Sequence, residues 1–126
     1  MKLTSRQIGA VGVARVAGAL FRNGYNVLTP MEDFSSYDLV AERDGRFIRI
    51  QVKTTSKTEG DKPYYRFMTS AGCDSKVAYT KDKIDTLIAW AMDEDLFWVL
   101  KPSDCRGPTK KLYPKTGASW RILGDL

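Results

Sequence analysis

The residues best suited to carry chemistry lie in the segment from Ser35 to Thr54, which reads SSYDLVAERDGRFIRIQVKT. Asp38 supplies a carboxylate, Gln51 an amide and Lys53 an ammonium, at a spacing that a β-hairpin would bring to one face. Carboxylate and amide oxygens bind hard divalent cations, and an ammonium can neutralise a phosphate. The segment therefore contains the groups needed to hold a divalent metal and a phosphate together.

The hairpin follows from its turn. Asp44-Gly45 predicts a two-residue primed turn, because such turns need positive φ and both residue types tolerate it. If Arg43 lies opposite Arg46, the same register sets Asp38 opposite Gln51. Directly opposed Cβ atoms are roughly 5 Å apart, and diagonal ones roughly 7–8 Å. That spacing would let the carboxylate and the amide share one ion, with the lysine in reach.

The hydrophobic pattern supports this register. Side chains alternate between the faces of a strand, and a slip of one residue would mix the two sets. The buried side of the second strand carries Ile48, Ile50 and Val52. The polar side carries Arg49, Gln51 and Lys53, together with Asp38, Val40 and Glu42 of the first strand. A solvated surface is the alternative interpretation of such a polar face.

Further motifs surround the hairpin in a fixed order. They are Gly9-x-x-Gly12 with Val16-Ala17, Gly24-Tyr25-x-Val27, Pro30, Tyr37-Asp38-Leu39-Val40, Gln51-Val52-Lys53, Tyr79 and Ile84-Asp85. This ordered set resembles the PD-(D/E)XK nuclease superfamily, in particular its small phage, intron-encoded and junction-resolvase-like members that carry Gln in place of the second acid. The resemblance extends from about Gln7 to Pro102. It implies an α/β fold of the restriction-endonuclease type, with an N-terminal helix on a central mixed β-sheet.

The resemblance also implies an activity. It suggests a metal-dependent DNA endonuclease of the homing, restriction-like or junction-resolving kind, with Mg²⁺ as cofactor and Mn²⁺ as a substitute. Asp38, Gln51 and Lys53 would be catalytic, and the metal would be held by Asp38, Gln51 and the backbone carbonyl of Val52. Because cutting both DNA strands usually needs two active sites, a homodimer or a larger symmetric assembly is expected.

One position departs from the family pattern. Many relatives carry Glu on the first helix one residue after the second glycine, and this chain has Val13 there. Glu32, Asp33 and Glu42 are candidates to supply the missing acid. Val13 favours one alternative, a nuclease-fold protein that binds DNA without cutting it. A further alternative is an interaction protein of the same fold whose basic ends bind a partner.

Size and composition limit the other possibilities. A chain of 126 residues suits one domain, spanning residues 1–126, and the absence of histidine excludes Ser-His-Asp catalysis and His-bound zinc. No apolar run approaches the roughly 20 residues of a membrane span, and no signal-peptide layout is present. Cys73 and Cys105 lack metal-site spacing, so we expect two free thiols in the reducing interior of a cell, with a cytoplasmic location.

The net charge of +5 is concentrated at the two ends of the chain. Residues 1–30 carry four basic and no acidic residues, and residues 101–126 carry six basic and two acidic ones. Basic ends around a slightly acidic centre suit a protein that grips a polyanion, although a charge this modest also serves simple solubility. The candidate DNA contacts are Arg15, Lys57, Lys62, Lys110 and Lys111.

The pattern of elements can also be outlined. Thr4-x-x-Gln7 predicts the start of a helix that ends at Gly24. Beyond the hairpin, strands are predicted over 64–69, 86–92 and 96–100, and the apolar run 87–92 indicates a strand buried on both faces. The basic tail from about residue 103 is expected to be rich in loops. The segment 119–123 fits either an edge strand or a short helix.

Overall fold

The computed structural model describes residues 1–71 and 77–126 of the chain. Helix α1 spans Ser5–Arg22. The strands are β1 Asn26–Leu28, β2 Leu39–Arg43, β3 Arg46–Thr55, β4 Tyr65–Met68, β5 Ser70–Ala71, β6 Val77–Ala78, β7 Thr86–Ala91, β8 Leu96–Leu100 and β9 Thr109–Leu112. Short 3₁₀ helices span Pro102–Asp104, Pro114–Thr116 and Trp120–Asp125. The predicted free thiol Cys73 lies outside the described residues, whereas the thiol of Cys105 is buried and unbridged.

A mixed sheet of five strands, in the order β1-β2-β3-β7-β8, forms the centre of the molecule. Strands β3 and β7 run parallel, and the other neighbours in this sheet run antiparallel. Strands β4 and β9 form a separate antiparallel ribbon, and β5 pairs with β6. The predicted α/β class, with a helix on a central mixed sheet, is confirmed.

Helix α1 begins and ends where the sequence predicts. Thr4 and Gln7 form a reciprocal capping box, in which each side chain accepts a hydrogen bond from the other residue's backbone N–H. At the other end, Gly24 adopts φ +85°, a conformation that glycine reaches without steric cost. No helix among the described residues is both long and apolar enough to cross a membrane.

The sheet is covered on both faces. Val16, Ala19 and Leu20 of α1 pack on one face, against the alternating residues Ile48, Ile50 and Val52 of β3. The β4–β9 ribbon covers the opposite face, with Tyr65, Phe67 and Leu112 packed on Leu87, Ala89 and Ala91 of β7. Strand β7 is thus buried on both sides, as its unbroken apolar run predicts.

The tail is more ordered than predicted. Residues 109–112 were expected in a loop, but they form β9 against β4. The sequence Thr-Lys-Lys-Leu has no strand pattern of its own, and only its distant partner makes it a strand. The open choice at 119–123 resolves as a 3₁₀ helix, Trp120–Asp125, in which Leu123 is buried with the helix α1 core.

Helix α1 and strand β3 meet closely at Gly12. A Cβ atom at this position would lie 1.6 Å from the Oγ1 atom of Thr54, so only a glycine fits. The Thr54 hydroxyl is buried there and finds no hydrogen-bond partner among the described residues. The helix is therefore seated on the strand one residue beyond Lys53.

We expect Gly12→Ala to lower the free energy of unfolding by about 1–3 kcal/mol, because the added methyl group overpacks the contact with Thr54. Gly9→Ala is the matched control, since a Cβ at Gly9 meets nothing within 4 Å. That control should gain stability by about 0.5–1 kcal/mol from helix propensity alone. Urea unfolding followed by circular dichroism measures both, and equal stabilities for the two variants would contradict this packing.

Candidate active site

The predicted hairpin register is confirmed within the ladder. Asp44 and Gly45 occupy the turn with φ of 56° and 79°, and Arg43 pairs with Arg46. The ladder ends at the Leu39–Ile50 pair, one rung before the predicted Asp38–Gln51 pair. Instead, the backbone N–H of Asp38 donates to the carbonyl of Ile50 at 2.8 Å. The Asp38 side chain, not its backbone, makes the next contact with β3.

That contact is made with the backbone of Val52. The Asp38 Oδ2 atom accepts a hydrogen bond from the Val52 backbone N–H at 2.9 Å. The Gln51 Nε2 atom donates to the Val52 carbonyl at 3.4 Å. The carboxylate and the amide therefore both contact the backbone of Val52, even though their residues are not directly opposed in the ladder.

Lys53 completes the group. Its side chain is partly buried, and its Nζ atom lies 5.3 Å from the centre of the Tyr79 ring. Burial lowers the pKa of the Lys53 ammonium, and the charge of Asp38 offsets part of this effect. The lysine is thus a partly desolvated cation that faces both a carboxylate and an aromatic ring.

The pKa of Asp38 is shifted in the opposite direction to that of Lys53. Burial raises the pKa of its carboxyl above the ordinary value, while the Val52 N–H and the Lys53 charge lower it by less. Both Asp38 and Lys53 are thus shifted toward their neutral forms. A partly buried carboxylate and lysine whose pKa values move toward each other are typical of functional sites, although structural ion pairs also show such shifts.

Tyr79 is a neighbour of this group whose position the hairpin argument did not find. Its side chain is buried, and burial together with the charge of Asp38 raises the pKa of its phenol to about 12. The phenol therefore stays protonated, and its ring forms part of the site's wall. The only sequence signal for Tyr79 was its place in the ordered family motifs.

The loop between β1 and β2 also borders the site. A cavity of about 200 Å³ is lined by Thr29, Pro30, Glu32, Asp33, Ser35, Tyr37 and Asp38. Two of the three candidate acids, Glu32 and Asp33, therefore share a cavity wall with Asp38. The Glu32 carboxylate accepts a hydrogen bond from the hydroxyl of Ser35 at 2.9 Å.

The third candidate acid has a structural role instead. The carboxylate of Glu42 accepts hydrogen bonds from the Asn26 side chain at 2.8 Å and from the Gly45 N–H at 3.0 Å. It therefore stabilises the hairpin turn. Val13, at the helix position of the family acid, packs against the apolar core.

The oxygen atoms around Val52 suit a hard divalent cation. Asp38 offers a carboxylate, Val52 a carbonyl and Gln51 an amide, which are the ligand types that Mg²⁺ and Mn²⁺ prefer. Within the described ranges 1–71 and 77–126, no three His, Cys, Asp or Glu side chains gather in a metal-binding group. A cation bound here would therefore depend on one carboxylate, neutral oxygens and water.

The predicted DNA-contacting cations fall into two groups. Arg15 forms a two-point ion pair with Asp95, through Nε at 3.0 Å and Nη2 at 2.8 Å, which engages the guanidinium within the protein. Lys110 turns inward on β9, and its Nζ atom donates to the carbonyl of Asp104 at 3.2 Å. Lys57, Lys62 and Lys111 are exposed to solvent.

Asp85, singled out with Ile84 in the family motifs, has a supporting position. Its carboxylate accepts hydrogen bonds from the backbone N–H of Arg49 at 2.8 Å and from the guanidinium of that residue at 3.1 Å. Ile84 is fully buried. The ion pair of Asp85 with Arg49 connects the start of β7 to β3, which is the strand that carries Gln51 and Lys53.

Comparison with known proteins supports the same assignment. The sequence is 32% identical to Protein 5.3 of Escherichia phage T7 over 88 residues, which are 70% of this chain and 73% of the phage protein. The fold matches a bacterial homing endonuclease, I-Ssp6803I, with a TM-score of 0.82 and 19% identity, covering 97% of this chain and 94% of the other. The sequence model of the PD-(D/E)XK endonucleases matches residues 3–115. Because this family model covers most of the sequence, the chain belongs to the PD-(D/E)XK endonuclease family.

Proposed function

We propose that the protein is a divalent-metal-dependent endonuclease that hydrolyses phosphodiester bonds in DNA. The observation that carries this proposal is the meeting of the Asp38 carboxylate, the Gln51 amide and the Lys53 ammonium around Val52. Family membership supports nuclease chemistry in general. The metal requirement and the DNA substrate are proposed from the ligand types and from the charge of the chain.

Three groups would hold the metal, namely the carboxylate of Asp38, the side-chain oxygen of Gln51 and the backbone carbonyl of Val52. When bound, Mg²⁺ or Mn²⁺ polarises the phosphate and lowers the pKa of a water molecule. The Val52 N–H holds the Asp38 carboxylate beside the strand, so the ligand is oriented before a cation arrives. Glu32 and Asp33 border the same cavity and add negative potential that favours a cation.

Lys53 would act on the phosphate. Its ammonium is partly desolvated, so it interacts more strongly with the negative charge that develops on the phosphorus oxygens than a fully hydrated lysine would. The Tyr79 ring beneath it limits where the ammonium can lie. In the hydrolysis, the water oxygen forms a new bond to phosphorus as one ester P–O bond breaks, and the leaving oxygen takes up a proton.

DNA would reach the site over exposed basic side chains. We propose that Lys57 and Lys62 on the loop before β4, and Lys111 on β9, contact phosphates, because all three are exposed, whereas Arg15 and Lys110 already bind groups within the protein. Cleavage of both strands needs two such sites, so we propose a homodimer or a larger symmetric assembly. Comparing plasmid with four-way-junction substrates distinguishes a junction-resolving role from a homing or restriction-like one.

One observation favours a second function, DNA binding without cleavage. Val13 replaces the helix acid, and its partly buried side chain packs against the apolar core and offers no metal ligand. Asp38 is then the one acidic ligand among the three predicted metal-binding residues. Incubating the protein with supercoiled DNA in Mg²⁺, Mn²⁺ or EDTA separates the two functions, because only a nuclease nicks the plasmid in a metal-dependent way.

Asp38→Ala and Lys53→Ala should each reduce metal-dependent cleavage by at least about 100-fold, because each removes a group that acts on the reacting phosphate. DNA binding should survive in both variants. Plasmid nicking measures cleavage, and an electrophoretic shift in EDTA measures binding. Lys2→Ala is a control that removes an exposed lysine at the N-terminus, and it should cut at the wild-type rate. Wild-type cleavage by either site variant would rule out this assignment.

The ionised Asp38 also has a cost for folding. Its folded-state pKa is raised, so the unfolded chain accommodates the charged carboxylate better than the folded protein does. The stabilisation that comes from protonating Asp38 is complete below its unfolded pKa and is lost as the pH rises through its folded pKa. At neutral pH the protein therefore carries the charge at the expense of stability.

Asp38→Asn removes this charge and keeps an oxygen that can accept the Val52 N–H. At pH 7 and without metal, we expect the variant to melt above the wild type. The difference should shrink as the pH falls, and it should vanish below the unfolded pKa of Asp38. Thermal melts of both proteins from pH 3 to pH 8 measure this difference in melting temperature. A variant less stable than the wild type at pH 7 would contradict the claim that the ionised Asp38 destabilises the fold.

A further inference from the structure

The β4–β9 ribbon has one face anchored in the protein and one face in solvent. Tyr65, Phe67 and Leu112 are buried against the central sheet, and the hydroxyl of Tyr65 donates to Asp93 at 2.6 Å. The rings of Tyr65 and Phe67 each lie 5.7 Å from that of Trp98. The inner face thus fixes the ribbon rigidly on the side of the sheet where Gln51 and Lys53 lie.

The outer face is basic and aromatic. Arg66 of β4 lies directly opposite Lys111 of β9, and both are exposed. The rings of Tyr64 and Tyr113, at the ends of the same two strands, are 5.8 Å apart, and Lys111 Nζ lies 4.9 Å from the centre of the Tyr64 ring. We define this outer face by Tyr64, Arg66, Met68, Lys111 and Tyr113.

The pairing of Arg66 with Lys111 needs an explanation. Like charges directly opposite each other on two strands destabilise the pair. The Glu59 carboxylate relieves this in part, because it ion-pairs with the Arg66 guanidinium from the turn that precedes β4. Two cations on one rung, of which Arg66 is ion-paired with Glu59, form a surface suited to an anionic partner.

The ribbon also lies near the proposed site. The hydroxyl of Thr55, two residues after Lys53, donates to the carbonyl of Arg66 at 3.0 Å. Two residues of strand span roughly 7 Å, so the backbone of the ribbon contacts β3 within about that distance of Lys53. Two paired strands about 4.8 Å apart, with their side chains, fit within the DNA major groove, which is about 12 Å wide.

We propose that the outer face of the β4–β9 ribbon enters the major groove of duplex DNA and reads it next to the phosphate that is cut. Arg66 leaves Glu59 and donates to the acceptors of a guanine edge, while Lys111 contacts a phosphate. Tyr64 and Tyr113 flank the two cations and pack on the groove wall. This inference rests on the proposed function, since it supplies the surface that would select where that function acts.

The test uses Asp38→Asn as the parent, because we expect this variant, like Asp38→Ala, to bind DNA without cutting it. A 40-base-pair duplex of one defined sequence is selected by the parent from a random library and labelled, and binding to it is measured from low to high salt. Arg66→Gln and Lys111→Gln should each weaken binding about tenfold, and Lys111→Gln should reduce the salt slope by about 1. Glu59→Gln should tighten binding, because it frees Arg66. Lys83→Gln makes the same charge change on the exposed 80–83 turn and should bind like the parent.

Guanine N7 methylation by dimethyl sulfate then reports the groove, because N7 lies in the major groove. The parent should protect guanines, and Arg66→Gln should lose protection that Lys111→Gln retains. Binding by Arg66→Gln and Lys111→Gln equal to the parent's, or no N7 protection by a parent that binds, would overturn the ribbon proposal. Failure of the wild type to cut plasmid with any metal, alongside the expected footprint, would instead overturn the proposed function alone.

Discussion

The hydrogen bond from the Val52 N–H to the Asp38 carboxylate is the interaction on which the candidate site depends. The backbone pairing of β2 with β3 ends just before this point, and the Asp38 side chain makes the next hydrogen bond to β3. Because Val52 lies between Gln51 and Lys53, the same bond brings the acidic residue to the strand that holds the other two groups. A site of this kind is as rigid as the sheet from which it projects.

The two strands that flank β3 in the central sheet supply that rigidity. Strand β2 pairs with β3 on one side, and β7 pairs with it in parallel on the other, where Gln51 and Lys53 lie opposite Leu87 and Ala89. The polar face of the hairpin is therefore covered over part of its length by apolar residues, and Lys53 is only partly exposed. This cover produces the pKa shifts of Asp38 and Lys53, which an open surface would not.

Local signals in the sequence predicted local structure well. The capping box at Thr4, the glycine at Gly24 and the Asp44-Gly45 turn each specify a conformation within a few residues, and the structure has all three. The register of the hairpin followed from the turn and the alternation of apolar residues. The convergence of the site residues at Val52 was foreseen in outline only, because a carboxylate that accepts a backbone N–H leaves no trace in the hydrophobic pattern.

Non-local pairings were the part that the sequence did not predict. Strand β9 exists because β4 offers it a partner more than 40 residues earlier in the chain, and its own sequence is that of a basic loop. The opposite orientations of Lys110 and Lys111 follow from that pairing, so a list of basic residues could not separate them. The ion pair of Arg15 with Asp95 depends likewise on a contact between distant elements.

The close seating of Gly12 on Thr54 has a consequence for how the family can diverge. Residue 12 touches no phosphate in the proposed mechanism, yet the helix it belongs to is pressed on the residue that follows Lys53. A bulkier residue at 12 would have to appear together with a smaller one at 54, or else shift the strand that carries the lysine. Substitution at residue 12 is thereby linked to the position of Lys53, whose side chain lies on the other face of the sheet.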